Sequence, residues 1–102
     1  KLPVYVNDNM RMWNGIVENL SEGGALIFME NPVLLPGHII NLHFRKYEDG
    51  TSFNCTAEIL TKRLTKARIQ HNTGIYYAVK FLQKSPSGDE QVKNWIKNFK
   101  RK

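Results

Sequence analysis

The sequence has few of the features expected of a secreted or membrane-spanning protein. Cys55 is its single cysteine, so no internal disulfide can form. No apolar run approaches the ~18–20 residues that a transmembrane helix needs, and no signal-peptide pattern is found at the start. We therefore expect a cytoplasmic protein without membrane insertion, in which Cys55 is a small buried residue on the same strand face as Phe53 and Ala57.

Signatures of catalysis and metal binding are also missing. The chain has no Walker-type glycine-rich lysine loop, no dinucleotide-binding fingerprint and no nucleophile elbow. His38 and His43 are five residues apart on one predicted strand, which directs their side chains to opposite faces. No group of cysteines or carboxylates accompanies these histidines. We expect a protein that is not an enzyme and holds neither a metal nor a cofactor.

Positive charge predominates in the chain. Its 15 lysines and arginines against 9 aspartates and glutamates give a formal net charge of +6. Such a balance favours partners that carry phosphate without specifying one. Much of the excess lies near the C-terminus, where a solvated basic helix face is the simpler explanation, on Lys93, Lys97, Lys100, Arg101 and Lys102.

Six segments have sequence patterns typical of β-strands: apolar residues at every second position, or short runs rich in apolar and aromatic residues. The predicted strands are Leu2–Val6, about Arg11–Leu20, Ala25–Phe28, Ile39–Phe44, Thr51 to about Thr65, and Ile75–Leu82. Mostly short turns join them, and a hydrophobic fraction of 41% suits a folded domain. We therefore predict an all-β, six-stranded antiparallel barrel over about residues 2–82, within a single domain that spans residues 1–102.

The periodicity changes after the last strand. Ser87 and Glu90 are spaced as in a helix capping box. Apolar residues then follow with the spacing of one helical face, at Val92, Trp95, Ile96 and Phe99. We predict a C-terminal helix over about residues 88–100 that packs on the barrel.

The most informative stretch is the turn between the second and third strands, Asn19-Leu20-Ser21-Glu22-Gly23-Gly24. The Asn19 amide can pair with a base edge, and Ser21 adds a hydroxyl at the turn. Gly24 tolerates a positive φ and lacks a Cβ, so a flat ligand or a phosphate can approach its backbone. The alternative is a hairpin in which these residues only satisfy turn geometry, since asparagine, serine and glycine are common in turns.

Asn19-x-Ser21-x-x-Gly24 resembles the [D/N]-x-S-x-x-G signature of PilZ domains. The resemblance covers nearly the whole chain: Leu2–Val6 is similar to the first strand of that family, Tyr76–Phe81 to its closing strand, and Ser87–Phe99 to its terminal helix. It implies a six-stranded barrel that binds cyclic di-GMP, a bacterial second messenger. In it, Asn19 and Ser21 would contact a guanine and nearby polar groups, while Gly24 keeps the turn tight and the surface open.

The chain departs from the family pattern in two respects. The second family motif, R-x-x-x-R, is not found in this chain, and its expected place lies a few residues upstream of Lys1. Arg11, the one arginine before the turn, falls in or beside a predicted strand and is no substitute. Ala78 stands where many members carry glycine, which indicates an atypical member.

Three functional hypotheses stay open on these residues. The first is a cyclic di-GMP receptor domain, acting with a neighbouring domain or partner protein and without a DNA partner. The second is a degenerate PilZ adaptor that binds proteins and no nucleotide. The third is a basic barrel that binds RNA or single-stranded DNA through aromatic residues beside lysines, the candidates being Trp13, Tyr47, Tyr76 and Tyr77 beside Lys46 and Lys80.

Overall fold

Six antiparallel strands form a closed barrel, as predicted. The computed structural model describes residues 2–30, 33–46, 51–66, 73–84, 90, 93–94 and 96–97. The order around the barrel is β1-β2-β3-β6-β5-β4, and β1 also pairs with β4, which closes the sheet. The strands are β1 (Leu2–Asn7), β2 (Met12–Leu20), β3 (Gly24–Glu30), β4 (Ile39–Lys46), β5 (Thr51–Lys66) and β6 (Thr73–Lys84).

The hydrophobic core fills the inside of this barrel. Every second residue of a strand points inward, so the period-two pattern of the sequence becomes two distinct faces. In β1 the inward positions are buried and the intervening ones half-buried. Cys55 lies in the core with Ala57, as expected. The largest fully buried side chains are Tyr77, Phe44, Ile27, Met29, Leu34, Ile40, Leu42 and Ile59.

The long hairpin of β5 and β6 extends beyond its predicted bounds. The sequence predicts that one strand ends at about Thr65 and the next begins at Ile75, yet pairing continues to Lys66 and Thr73. Strand pairing satisfies the backbone of polar residues as well as apolar ones, so local polarity underestimates the length of a paired strand. Residues 67–72 of this connection lie outside the described part.

Three register shifts change which face the following residues occupy. In β2 the pairing with β3 shifts register between Val17 and Asn19. In β5 the pairing with β6 shifts between Ile59 and Thr61, and again between Thr56 and Ala57. An extra residue in one strand reverses the alternation beyond it and bends the strand. The shifts between Val17 and Asn19 and between Ile59 and Thr61 lie beside the same surface depression, which Asn19 and Leu60 line.

The connection from β3 to β4 is tied to the barrel by hydrogen bonds. The buried Tyr77 hydroxyl donates to the carbonyl of Leu34 at 3.2 Å. Gly37, at φ 94°, forms part of a turn, and its N–H donates to the carbonyl of Ile59 at 2.8 Å. His38 precedes β4, and its Nδ1 accepts a hydrogen bond from the N–H of Leu35 at 3.2 Å. The expectation that His38 and His43 share one strand is therefore wrong, because β4 begins at Ile39, one residue after His38.

The predicted C-terminal helix, about residues 88–100, falls largely outside the described residues and stays a prediction. Ile96, which belongs to its predicted apolar face, is half-buried and packs against the core cluster. Over the described parts of the chain, no helix is both long and apolar enough to traverse a bilayer.

Candidate functional site

The turn from β2 to β3 is closed by three hydrogen bonds between Ser21 and Gly24. The backbone N–H of Ser21 donates to the carbonyl of Gly24 at 2.9 Å. The Ser21 hydroxyl donates to the same carbonyl at 3.1 Å and accepts from the N–H of Gly24 at 3.1 Å. The hydroxyl is thus part of the turn, which leaves Glu22 and Gly23 at its exposed tip.

Gly24 brings two strands unusually close together. A Cβ atom on Gly24 would lie 2.1 Å from the carbonyl oxygen of Val79 in β6. The neighbouring Gly23 accepts a hydrogen bond at its carbonyl from the N–H of Phe81 at 2.8 Å. Gly24 has no positive φ, unlike Gly37. A glycine is therefore required at position 24 because β6 lies so close, and not because the backbone is in the left-handed conformation.

The bulge in β2 directs Asn19 out of the barrel. Strict alternation after the buried Val17 would place Asn19 inside and Leu20 outside. The register shift reverses this, so Asn19 is exposed and Leu20 is buried. The Oδ1 atom of Asn19 accepts a hydrogen bond from the N–H of Leu20 at 3.0 Å. This contact orients the amide, whose nitrogen carries two N–H donors at its other end.

An open depression of about 340 Å³ lies beside this turn. Its wall includes the motif residues and three side chains from β3, β5 and β6: Asn19, Ser21, Gly24, Leu26, Leu60 and Lys80. Leu60 is 49% exposed because it follows the buried Ile59 and therefore points outward, and it is the extra residue at the bulge of β5. Among the described residues of this wall, Lys80 carries the only charge. The depression thus combines amide and hydroxyl groups, an apolar surface and one cation.

The three residues singled out from the sequence all border this depression. Asn19 and Ser21 are exposed, whereas Gly24 is buried and contributes backbone. Leu26 and Leu60 were not predicted as site residues. Leu60 follows the inward-facing Ile59, so alternation places it outside the barrel. No local signal in the sequence shows that this part of β5 borders the Ser21–Gly24 turn.

The aromatic residues proposed for nucleic-acid stacking occupy different environments. Tyr77 is fully buried, so its ring cannot stack on a base. Tyr76 is half-buried and packs against Phe28, with ring centroids 5.1 Å apart. Trp13 packs against the core cluster and lies under the guanidinium of Arg11, 5.9 Å from the ring centroid. Tyr47 lies outside the described residues.

The described histidines, cysteine and carboxylates are dispersed. In the described portion of the chain, no three of them come together as metal ligands would. His43 stacks on Tyr5 with ring centroids 6.1 Å apart. Its Nδ1 also forms a 2.5 Å hydrogen bond with the side chain of Asn54.

Comparison with known proteins identifies relatives of this barrel. The model of the PilZ domain family matches residues 1–98. One similar solved structure is the PilZ domain of YcgR from Escherichia coli with c-di-GMP. The TM-score is 0.75 and the identity 18%, over 98% of this chain and 82% of that chain. No curated protein matches the sequence.

Proposed function

Because the chain belongs to the PilZ domain family, we propose that it is a receptor domain that binds cyclic di-GMP in the depression beside Asn19 and Ser21. The observation that carries the proposal is the convergence of both side chains on one open, partly apolar depression. The proposed role is binding and not catalysis, in bacterial second-messenger signalling. A cytoplasmic location is part of the same proposal.

Asn19 is proposed to recognise a guanine edge. Its Oδ1 accepts from the N–H of Leu20, which fixes the direction in which the amide nitrogen points. A side-chain amide offers both donors and an acceptor, and guanine presents N7 and O6 as acceptors. The outward turn of Asn19 at the bulge makes this pairing geometrically accessible.

We propose that Ser21 stabilises the turn and can contact the ligand only as a hydrogen-bond acceptor. Its hydroxyl proton is directed to the carbonyl of Gly24, and one lone pair accepts from the N–H of Gly24. A hydroxyl oxygen has a second lone pair. A ligand contact at Ser21 would therefore be a hydrogen bond that the ligand donates.

Leu26 and Leu60 are proposed to contact the face of the base. Both border the depression, and apolar contact with a flat purine removes surface from water on both partners. About 340 Å³ is at the small end of the ~300–1,000 Å³ range of small-molecule sites. We propose that one guanine occupies the depression and that the rest of the ligand lies across the barrel surface.

Titration calorimetry with cyclic di-GMP on the full-length protein tests this function. Asn19→Ala should weaken binding about tenfold or more, because it removes a hydrogen-bonding group from the base edge. Asn14→Ala is the matched control, since Asn14 is exposed on the same strand and does not border the depression. Its affinity should stay within about twofold of the unsubstituted protein. Absence of binding heat with the full-length protein would reject the receptor function and favour the adaptor.

A further inference from the structure

Lys80 is placed where the depression meets the middle of the β3–β6–β5 surface. It is exposed on β6 and borders the depression. Its direct cross-strand neighbours are Gly24 on β3 and Glu58 on β5. Val79 and Phe81 on either side of it are buried, so alternation directs the Lys80 side chain outward.

We propose that Lys80 binds a phosphate group of the ligand and that Glu58 moderates the strength of this contact. The inference rests on the proposed function for the location of the ligand. It assigns to this chain a phosphate-binding cation within the barrel wall. An ammonium group suits this task because it presents three donors and a compact positive charge to phosphate oxygens.

The glycine opposite Lys80 makes this contact possible. Gly24 has no side chain, so no Cβ stands beside the lysine stem on the β3 side. The stem can extend towards the Ser21–Gly24 turn, where the backbone borders the same depression. A phosphate held there would lie next to the Asn19 side chain, as the proposed guanine contact requires.

Glu58 stands on the other side of Lys80. Directly paired residues of an antiparallel sheet have Cβ atoms ≈ 4.5–5.5 Å apart, within range of a charge interaction. Glu58 is half-buried and does not border the depression. Its carboxylate therefore competes with a ligand phosphate for the Lys80 ammonium. Removal of the two charges should change phosphate affinity in opposite directions.

Binding constants for cyclic di-GMP, measured at low and high salt, test this assignment. Lys80→Gln should weaken binding about three- to tenfold and reduce its salt dependence. Glu58→Gln should strengthen binding, by up to about threefold, because the competing carboxylate is gone. Lys93→Gln is the control for loss of a positive charge, since Lys93 is exposed and does not border the depression. The assignment is overturned if Lys80→Gln and Lys93→Gln change the affinity equally.

A second probe separates this inference from the proposed function. Inorganic pyrophosphate is titrated into the full-length protein while the backbone amide signals of Gly24 and Lys80 are followed by NMR. Shifts that occur in the unsubstituted protein and vanish in Lys80→Gln support the phosphate site, even if cyclic di-GMP fails to bind. If neither cyclic di-GMP nor pyrophosphate shifts the amide signals of Gly24 and Lys80, the inference is rejected. Thermal unfolding of Lys80→Gln at an unchanged temperature confirms that the variant is folded.

Discussion

The backbone of Gly24 lies directly against the carbonyl of Val79, with no room for a side chain between β3 and β6. A Cβ atom on Gly24 would lie 2.1 Å from the Val79 carbonyl oxygen and 3.5 Å from the Cα of Lys80. The obstacle is backbone, which cannot rotate away as the end of a side chain can. The turn that carries Asn19 and Ser21 can thus lie close to β6 because Gly24 has no side chain.

Gly24→Ala should therefore destabilise the barrel by about 2–3 kcal/mol, because the strands must separate and weaken their hydrogen bonds. Gly23→Ala is the matched control, since a Cβ at Gly23 would meet nothing within 4 Å. Its effect on the free energy of unfolding should be about 0.5 kcal/mol or less. Urea unfolding of both variants measures the difference. Equal stability of the two would show that the close approach to Val79 is relaxed at little cost.

The Tyr77 hydroxyl predicts a dependence of stability on alkaline pH. Burial raises the pKa of Tyr77 to about 12, because the charged phenolate is disfavoured away from water. The pKa in the unfolded chain is close to 10. The contribution of the neutral phenol is therefore complete below about pH 10 and is lost as the pH rises towards about 12.

Tyr77→Phe separates this contribution from other titrations. The variant leaves the buried Leu34 carbonyl without this donor, so it should lose about 1–2 kcal/mol of stability at neutral pH. The difference in the free energy of unfolding between Tyr77→Phe and the unsubstituted protein should shrink between about pH 10 and 12. Denaturant unfolding across this range measures the difference. A constant difference at all pH values would contradict the assigned pKa shift.

Asp8 should titrate below the usual range of an aspartate. Its carboxylate accepts hydrogen bonds from the N–H groups of Met10 at 3.0 Å and Arg11 at 2.8 Å. These bonds, the one from Arg11 first, lower the pKa of Asp8 from 3.8. The carboxylate therefore stabilises the β1–β2 turn above about pH 3.8, and this contribution is lost as the pH falls below it.

NMR titration of the Asp8 carboxyl carbon gives this pKa directly. The amide signals of Met10 and Arg11 should shift with the same midpoint, since they are the donors. Asp8→Asn keeps an acceptor oxygen but has no charge to titrate, so the amide signals of Met10 and Arg11 should not shift at acidic pH in this variant. A midpoint at or above 3.8 would contradict the lowered pKa.

Phe28 and Gly74 form a pair in which a ring covers a glycine on the neighbouring strand. A Cβ atom on Gly74 would lie 1.9 Å from the Cζ of Phe28, and the same ring packs against Tyr76. Gly74→Ala should displace the ring and cost about 1 kcal/mol. In a Phe28→Leu background the same substitution should cost less, because the obstructing ring is gone. Additive effects in this double-mutant cycle would exclude the coupling.

The sequence predicts the strands well wherever local pattern decides the structure. Val4, Val6 and Ile59 lie on inward faces because every second residue of a strand shares a face, and pairing preserves that alternation. Asn19 and Ser21 come together because a short turn keeps adjacent residues close. These features need no knowledge of which strands pair.

The wall of the depression depends on register, which a single strand does not specify. Leu60 has no partner residue on β6 because β5 bulges between Ile59 and Thr61, a consequence of pairing between distant segments. Tyr76 and Tyr77 are adjacent and of the same residue type, yet only Tyr77 faces the core. Their roles follow from the closed barrel and could not be separated by residue type.

The register of β1 has a practical consequence for observing this site. Leu2 pairs with Val17, so the chain enters the barrel at the Asn19 end of β2. A fluorophore attached at Pro3, which is half-buried and pairs with Ile16, would lie on the strand next to the one that leads into the Ser21–Gly24 turn. Its emission would then report ligand binding without any opening of the barrel.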